Sequence, residues 1–181
     1  MPNMSKTPFI GILMLDTVFP RILGDAGNPD SYNFPTRIEI VKGAGALDVV
    51  CSDGPRDVLL ASFISAAQEL EAAGAIGIVS TCGFLVHIQD EIAKSVRIPV
   101  MVSGLSLFSM LNTSFGGAPI GILTASKQSL EDGTLVAARI DANKVVVAGL
   151  EDCAAFRDAI LTAKSAQPDT LDSEAIECDV V

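Results

Sequence analysis

A short apolar run that stops abruptly at hydroxyl and thiol side chains is the feature that most constrains the fold of this chain. Residues 76–84 read Ile-Gly-Ile-Val-Ser-Thr-Cys-Gly-Phe, and a helical pattern begins directly behind them. A run bounded in this way predicts a buried strand followed at once by a helix. The junction places Cys82 at the carboxyl end of that strand, which is where open α/β sheets bind ligands.

The alternation of short apolar runs with helical patterns recurs along the chain, and it predicts an α/β fold built on parallel sheets. Further strands are predicted at 9–15, 37–42, 98–103, 119–126 and 144–149. The longest helix is predicted to open at a cap on Asp53 and to stop at Gly74. Other helices are predicted at 83–94, 105–111, 127–140, 153–163 and from 171 onward.

Two stretches of the chain match each other closely enough to predict two related lobes. Residues 76–82 read Ile-Gly-Ile-Val-Ser-Thr-Cys, and residues 120–126 read Ile-Gly-Ile-Leu-Thr-Ala-Ser. We therefore expect a first α/β lobe over residues 1–103, carrying Cys82, and a second over residues 104–181. The last helical pattern runs to the final residue without a Gly, Asn or Pro stop signal, so the second lobe is expected to be incomplete.

Polar residues at the predicted strand ends are the candidate binding groups. Asp16 follows the strand at 9–15, and it either faces a cleft or caps a nearby loop. Thr124 and Ser126 end the strand at 119–126, where they either contact a ligand or cap the next helix. The segment 18–35 is dense in Gly, Pro, Asn and Asp, and it predicts a long irregular loop that forms a lid or cleft wall.

Composition excludes several classes of partner and site. The chain has 181 residues, with 22 acidic against 12 basic side chains and a formal net charge of −10, which argues against nucleic-acid or anionic-membrane partners. It has no apolar run near the roughly 20 residues that span a bilayer and no signal-peptide pattern, so we predict a cytoplasmic location. The four cysteines are scattered and there is a single histidine, so neither a metal site nor a disulfide framework is predicted.

Several motifs in order along the chain together resemble the aspartate/glutamate racemase superfamily. They are Leu15-Asp16-Thr17, Phe19-Pro20-Arg21, Gly24-Asp25-x-Gly27-Asn28-Pro29, Thr81-Cys82-Gly83-Phe84-Leu85 and Gly121-Ile122-Leu123-Thr124-Ala125. The resemblance covers essentially the whole chain. It implies two Rossmann-like lobes, related by a pseudo-twofold axis, that close on a small carboxylic acid between two cysteines without metal, pyridoxal phosphate or another cofactor.

The resemblance also implies a chemistry for the strand end at Cys82. Racemisation next to a carboxylate needs two opposed acid/base groups, one for each face of the carbon. Cys82 matches the first cysteine of the family, and a helix N-terminus behind it is expected to lower the pKa of the thiol. The hydroxyls of Thr81 and Thr124, with the backbone amides of Gly83 and Phe84, are expected to hold the substrate carboxylate.

The chain departs from the family at the second cysteine, which normally sits at a strand end in a Cys-Thr motif followed by proline. Cys178 is followed by neither threonine nor proline, and it lies in a helical pattern. The resemblance therefore implies a chain that binds a substrate and, alone, lacks half of the racemase site. The apolar seam left uncovered is expected to promote association into a homodimer or another homo-oligomer.

Four functions stay open at this point. The first is a cofactor-independent racemase or isomerase of an amino acid or similar carboxylate, with Cys82 as one base. A decarboxylase or cis-trans isomerase that uses a single thiol is the near alternative, and a non-catalytic carboxylate-binding protein or a thiol redox protein are the others. Cys82 is equally compatible with a small buried core residue. His87 is expected to pair with Glu91 one helical turn away, or to assist catalysis.

Overall fold

Two parallel sheets form the framework of the protein. A computed structural model describes the backbone of residues 7–180, and their side chains except at 131, 132, 179 and 180. The strands are β1 (Phe9–Leu15), β2 (Thr36–Val41), β3 (Ala75–Ser80), β4 (Val100–Met101), β5 (Ile120–Thr124) and β6 (Val145–Gly149). One sheet has the order β2-β1-β3-β4, the other pairs β5 with β6, and every pairing is parallel. The predicted α/β class is confirmed.

The helices lie between these strands in the chain. The α-helices are α1 (Ala46–Val49), α2 (Asp57–Ala73), α3 (Gln89–Ser95), α4 (Phe108–Ser114), α5 (Lys127–Ser129), α6 (Leu135–Ala137), α7 (Ala154–Ile160) and α8 (Ser173–Val180). Short 3₁₀ turns span Pro29–Ser31, Gly83–Ile88, Gly104–Leu107, Ala142–Lys144 and Lys164–Ala166, and a π turn at Leu130–Thr134 joins α5 to α6. Among the described residues, no helix is long and apolar enough to cross a membrane.

The first sheet is held by the packing of α2 against it. Phe63 and Leu70 on α2 are buried, as are Leu13 and Ile78 on the central strands. Each of the four has at most 1% of its surface exposed. At Gly11 an added Cβ would lie 2.8 Å from the Leu70 side chain, so glycine is what allows the helix to approach β1 this closely. α2 ends at Gly74, which has φ of 106°, as predicted.

Two predicted boundaries are wrong for local reasons. α2 begins at Asp57 with Arg56 at its N-cap, rather than at Asp53, because Gly54 has a left-handed φ of 75° that no right-handed helix contains. The strand predicted at 98–103 is paired over only two residues, at Val100 and Met101. The side-chain amide of Gln89 bonds the backbone of this segment in place of a neighbouring strand. It donates to the Val100 carbonyl (3.0 Å) and accepts from the Val102 amide (2.9 Å).

The predicted helices at 83–94 and 127–140 are not continuous α-helices. The first is a 3₁₀ turn that passes into α3 at Gln89, and the second is α5 and α6 joined by the π turn. Gly133 lies in that turn, and a Cβ there would lie within van der Waals overlap of the Ser52 carbonyl. The π turn is therefore packed directly against the segment before α2.

The second sheet is covered on one face. Ile122, Val145 and Val147 are half-buried and pack against the core, whereas Leu123 and Val146 are 59% and 65% exposed. One continuous cluster of buried apolar side chains nevertheless extends from the first sheet to residues of the second half of the chain, such as Leu130 and Leu135. The division into lobes at residues 103 and 104, and the association through an apolar seam, stay predictions.

Candidate functional site

A cavity of about 510 Å³ opens where several strand ends meet. Residues that follow β1, β3 and β5 line it, so its position is the one expected for a ligand at the carboxyl edge of parallel strands. Five of the predicted site residues lie in this lining: Thr81, Cys82, Gly83, Phe84 and Thr124. The matched strand ends of the two halves therefore contribute to one cavity.

Cys82 is held in the cavity wall by its backbone. It is the N-cap residue of the 3₁₀ turn Gly83–Ile88, and its amide donates to the Ser80 hydroxyl at 3.2 Å. That hydroxyl in turn donates to the Val102 carbonyl at 2.6 Å, which links the end of β3 to the segment after β4. The thiol makes no capping hydrogen bond, and Cys82 is part of the cavity lining.

Burial decides the protonation state of the Cys82 thiol. It raises the pKa to about 11, while the N–H groups of Phe84 and Leu85 and the charge of Arg21 act in the opposite direction. The expectation that a helix N-terminus lowers the pKa is therefore wrong for this structure, because the desolvation of the thiolate outweighs the amides. The thiol is neutral at physiological pH, which also counts against a thiol redox protein.

Gly83 and Phe84 take the places predicted for them beside the thiol. Gly83 is exposed, and a Cβ there would meet only the Ser103 hydroxyl, at 3.7 Å. That hydroxyl donates to the Gly83 carbonyl at 2.6 Å, which fixes the turn. Phe84 is buried, and its N–H favours the thiolate of Cys82. Thr81 is half-buried and Thr124 is buried, so the two hydroxyl groups lie in the same lining.

Asp16 and Ser126 do not line the cavity. The Asp16 carboxylate accepts from Lys164 (2.7 Å), from Lys42 (3.4 Å) and from the amide of Gly43 (3.1 Å), and the Lys164 bond is the main cause that lowers its pKa. Ser126 caps α5 by accepting from the amide of Ser129 at 3.2 Å. Asp16 therefore fixes a nearby loop and Ser126 caps a helix. These are the alternatives to ligand binding that the sequence left open.

His87 makes a different contact from the predicted pair with Glu91. Its Nε2 lies 3.0 Å from the hydroxyl of Thr134, a fully buried residue in the π turn. The side chain therefore joins the turn behind Cys82 to the second half of the chain. Burial lowers the pKa of His87, and the residue is outside the cavity lining, so the structure gives it a packing role.

The other three cysteines are also outside the cavity lining. Cys51 is half-buried, with its sulfur 3.1 Å from the Gly54 carbonyl, and Cys178 is exposed on α8. Cys153 is half-buried at the start of α7. Among the described residues, Cys82 is thus the one thiol in the cavity wall.

Arg21 is a charged residue of the cavity lining that was not predicted as a site residue. Its guanidinium donates from Nη1 to both carboxylate oxygens of Asp25 (3.2 and 3.3 Å) and from Nη2 to the Thr17 hydroxyl (2.8 Å). Its Cζ lies 4.2 Å from the centre of the Phe19 ring. Arg21 belongs to the sequence motif Phe19-Pro20-Arg21. The signal that could have identified its contacts is the spacing of four residues between Thr17, Arg21 and Asp25.

The rest of the cavity wall is predominantly apolar. Four phenylalanines from different parts of the chain contribute to it: Phe19, Phe84, Phe108 and Phe156. The loop that carries Phe19 and Arg21 is tied to the C-terminal part of the chain, because the Val18 amide donates to the Gln167 side chain at 2.9 Å. The predicted role of segment 18–35 as a cleft wall agrees with this placement.

Comparison with solved structures identifies the class of fold. The chain aligns with a liganded double mutant of arylmalonate decarboxylase at a TM-score of 0.51 and 17% identity, covering 90% of this chain and 74% of that one. At this identity the likeness establishes the fold. The likeness agrees with the predicted α/β class built on parallel sheets.

Curated proteins similar in sequence are named as lyases. The chain is 30% identical to dimethylsulfoniopropionate lyase 7 of Emiliania huxleyi over 126 residues, and 32% identical to lyase 5 of the same organism over 127 residues. It is 28% identical to the dimethylsulfoniopropionate lyase of a Durusdinium species over 131 residues. These matches span 36%, 25% and 43% of the relatives' own lengths, which is less than half of each. No protein-family model matches the chain.

Proposed function

We propose that this protein is a cofactor-independent lyase of the decarboxylase type, which acts at the carbon next to a carboxylate. The observation that carries the proposal is the neutral thiol of Cys82 in the wall of a largely apolar cavity. A protonated thiol is an acid, and the step that needs an acid is the protonation of a carbanion next to a carboxylate. The likeness of the fold to arylmalonate decarboxylase supports the same reaction class.

In a decarboxylation the thiol delivers the proton after the carbon–carbon bond has broken. The departing carboxylate leaves as carbon dioxide, and its bonding electron pair stays on the α-carbon, delocalised into the remaining carboxylate. Cys82 then gives its proton to that carbon and is left as a thiolate, which takes a proton back from water. The N–H groups of Phe84 and Leu85 and the charge of Arg21 favour the transient thiolate.

A β-elimination is the second candidate, and the curated lyase relatives favour it. Here the thiolate of Cys82 takes the α-proton. The electrons of the carbon–hydrogen bond form the carbon–carbon double bond, and the electrons of the carbon–sulfur bond leave with a neutral sulfide. The reaction uses one base, which agrees with one thiol in the lining. It requires the thiolate to form first, so the raised pKa predicts a rate that increases with pH into the alkaline range.

Racemisation is less supported than either lyase reaction. It needs an acid/base group on each face of the α-carbon, and the described lining contributes a single thiol. The hydroxyls of Thr81 and Thr124 are weaker acids and bases than a second cysteine would be. Asp25 also lines the cavity, but its carboxylate is bonded to Arg21.

The test follows two reactions with the full chain. Phenylmalonate is incubated in deuterated water and its conversion to α-deuterated phenylacetate is measured, and dimethylsulfoniopropionate is assayed by the release of dimethyl sulfide. The Cys82→Ser variant is expected to lose about 10²- to 10⁴-fold in whichever reaction occurs, as for other proton-transfer groups. Cys178→Ser is the matched control, since that thiol is exposed on α8, and it is expected to match the parent.

Three results would decide against the proposal. Equal turnover by the parent and Cys82→Ser would remove the role of the thiol. Exchange of the α-proton of aspartate or glutamate without release of carbon dioxide or sulfide would restore the racemase reading. Saturable binding of phenylmalonate with no turnover at any pH up to 11 would instead identify a carboxylate-binding protein.

A further inference from the structure

The cavity holds an arginine that the proton-transfer chemistry of Cys82 does not require. Arg21 has 18% of its side chain exposed, and it is fixed from two sides by Asp25 and Thr17. The loop that carries it is fixed as well, because Asn28 donates from its side chain to the Arg21 carbonyl at 2.9 Å and Gly27 donates to Asp25 at 2.6 Å. The guanidinium is therefore held in one orientation at the cavity wall before any ligand arrives.

The hydrogen bonds of Arg21 leave part of its donor set unused. A guanidinium has five N–H donors in a planar fork. Asp25 and Thr17 account for contacts at Nη1 and Nη2, while Nε is closed to solvent and has no partner among the described residues. Thr17 takes one of the two N–H groups of Nη2, which leaves the other for a ligand, and planar carboxylates are the groups that match an arginine fork.

The charges around the cavity limit what else a ligand can carry. Within the described lining, Arg21 and Asp25 are the ionic side chains, and the remaining wall is apolar, aromatic or hydroxylic. Asp25 already pairs with Arg21, so a ligand carboxylate shares the guanidinium with Asp25, and the described lining offers it no other cationic side chain. The rings of Phe19, Phe84, Phe108 and Phe156 suit an apolar, aromatic or onium substituent instead.

We infer that Arg21 is the anchor for the carboxylate that the substrate keeps, and that the apolar part of the cavity receives the apolar or onium group at the other end. The inference rests on the proposed function, since it places the retained carboxylate beside the carbon that Cys82 protonates or deprotonates. It assigns the carboxylate to a side chain, where the sequence assigned it to hydroxyls and to the amides of Gly83 and Phe84.

Binding measurements test the anchor separately from turnover. The probes are 3-phenylpropionate and its neutral amide 3-phenylpropionamide, each titrated calorimetrically into the full chain. The parent is expected to bind 3-phenylpropionate at least about tenfold more tightly than the amide. Arg21→Met is expected to remove the preference for acid over amide. Arg21→Lys is expected to restore it in part, because charge returns without the fork.

Arg56→Met is the matched control, because Arg56 is an exposed arginine, paired with Asp48, outside the cavity. Circular dichroism shows whether each variant folds. If Arg21→Met does not fold, Arg21→Lys decides: a reduced preference for acid over amide supports the anchor, and an unchanged preference contradicts it. The inference is overturned if Arg21→Met keeps the acid preference or if the parent does not distinguish acid from amide. If the protein prefers the acid to the amide but shows no turnover, the proposed function is contradicted and the role of Arg21 as carboxylate anchor is supported.

Discussion

The ends of β3 and β5 begin from nearly the same sequence and differ in what their side chains do. Cys82 and Ser126 occupy equivalent positions, and their backbones are almost identical, with φ and ψ of −133° and 114° against −140° and 117°. Ser126 turns its hydroxyl to the amide of Ser129 and caps a helix. The thiol of Cys82 forms no such cap; it lies in the cavity wall, where the N–H groups of Phe84 and Leu85 favour its thiolate. The comparison shows that the same backbone conformation supports a helix cap at one strand end and a cavity-lining thiol at the other.

The largest expected effect concerns the reactivity of the Cys82 thiol. With its pKa raised to about 11, the thiolate fraction near pH 8 should be on the order of 100-fold below that of an ordinary thiol. We therefore expect alkylation of Cys82 by iodoacetamide, followed by peptide mass spectrometry, to accelerate about tenfold per pH unit up to about pH 11. A rate that levels off near pH 8 would mean that the N–H groups behind Cys82 lower the pKa of the thiol by more than burial raises it.

The same raised pKa predicts a stability change with pH. The folded state keeps the thiol proton that the unfolded chain releases near pH 9.0, so stability is fully present below that pH and decreases as pH rises toward 11. The loss should be about 2 kcal/mol in urea unfolding, and it should be absent from Cys82→Ala. An identical decrease in both proteins would assign it to other groups.

The next effect compares the sheets behind the two strand ends. Ile78 and Ile122 are equivalent in the matched sequences, but Ile78 is 1% exposed in the four-stranded sheet and Ile122 is half-buried in the two-stranded one. Ile78→Ala should lower the free energy of unfolding by about 3 to 4 kcal/mol, and Ile122→Ala by about 1 to 2 kcal/mol, since less surface and a smaller cavity are involved. Equal losses in urea unfolding would show that the two sheets are packed alike.

The smallest effect concerns Ser126 itself. Ser126→Ala removes the cap of α5, and we expect it to lower the free energy of unfolding by about 1 kcal/mol, as other caps do. Because Ser126 is outside the cavity lining, KM for the substrate that is turned over should stay within about twofold of the parent value. A large increase in KM with unchanged stability would restore the expectation that Ser126 binds substrate.

Features fixed by local sequence could be predicted. β1 occupies Phe9–Leu15 as expected, because an uninterrupted apolar run fits only a buried strand here, and α2 stops at Gly74 because glycine tolerates the left-handed conformation. The placement of Thr81, Cys82 and Thr124 in one lining followed from a general property of parallel sheets, whose carboxyl edges collect ligands.

Features that depend on distant residues could not be predicted. The pKa of Cys82 is set by how much protein surrounds the sulfur, which no spacing of residues around it records. His87 contacts Thr134, which is 47 residues away, in place of its helical neighbour Glu91. Arg21 sits in a loop whose shape comes from Asp25 and Asn28 hydrogen bonds, and irregular loops carry no periodic signal.

The contacts between the loop after β1 and residues near position 165 have a consequence for synthesis on the ribosome. Lys164 bonds Asp16 across 148 positions of the chain, and Gln167 accepts from Val18 across 149. α2 and the four-stranded sheet involve residues no later than 101, so they can assemble while the chain is still growing. The loop that carries Arg21 gains its contact with Gln167 only after residue 167 has emerged. This side of the cavity is therefore completed later in synthesis than the four-stranded sheet.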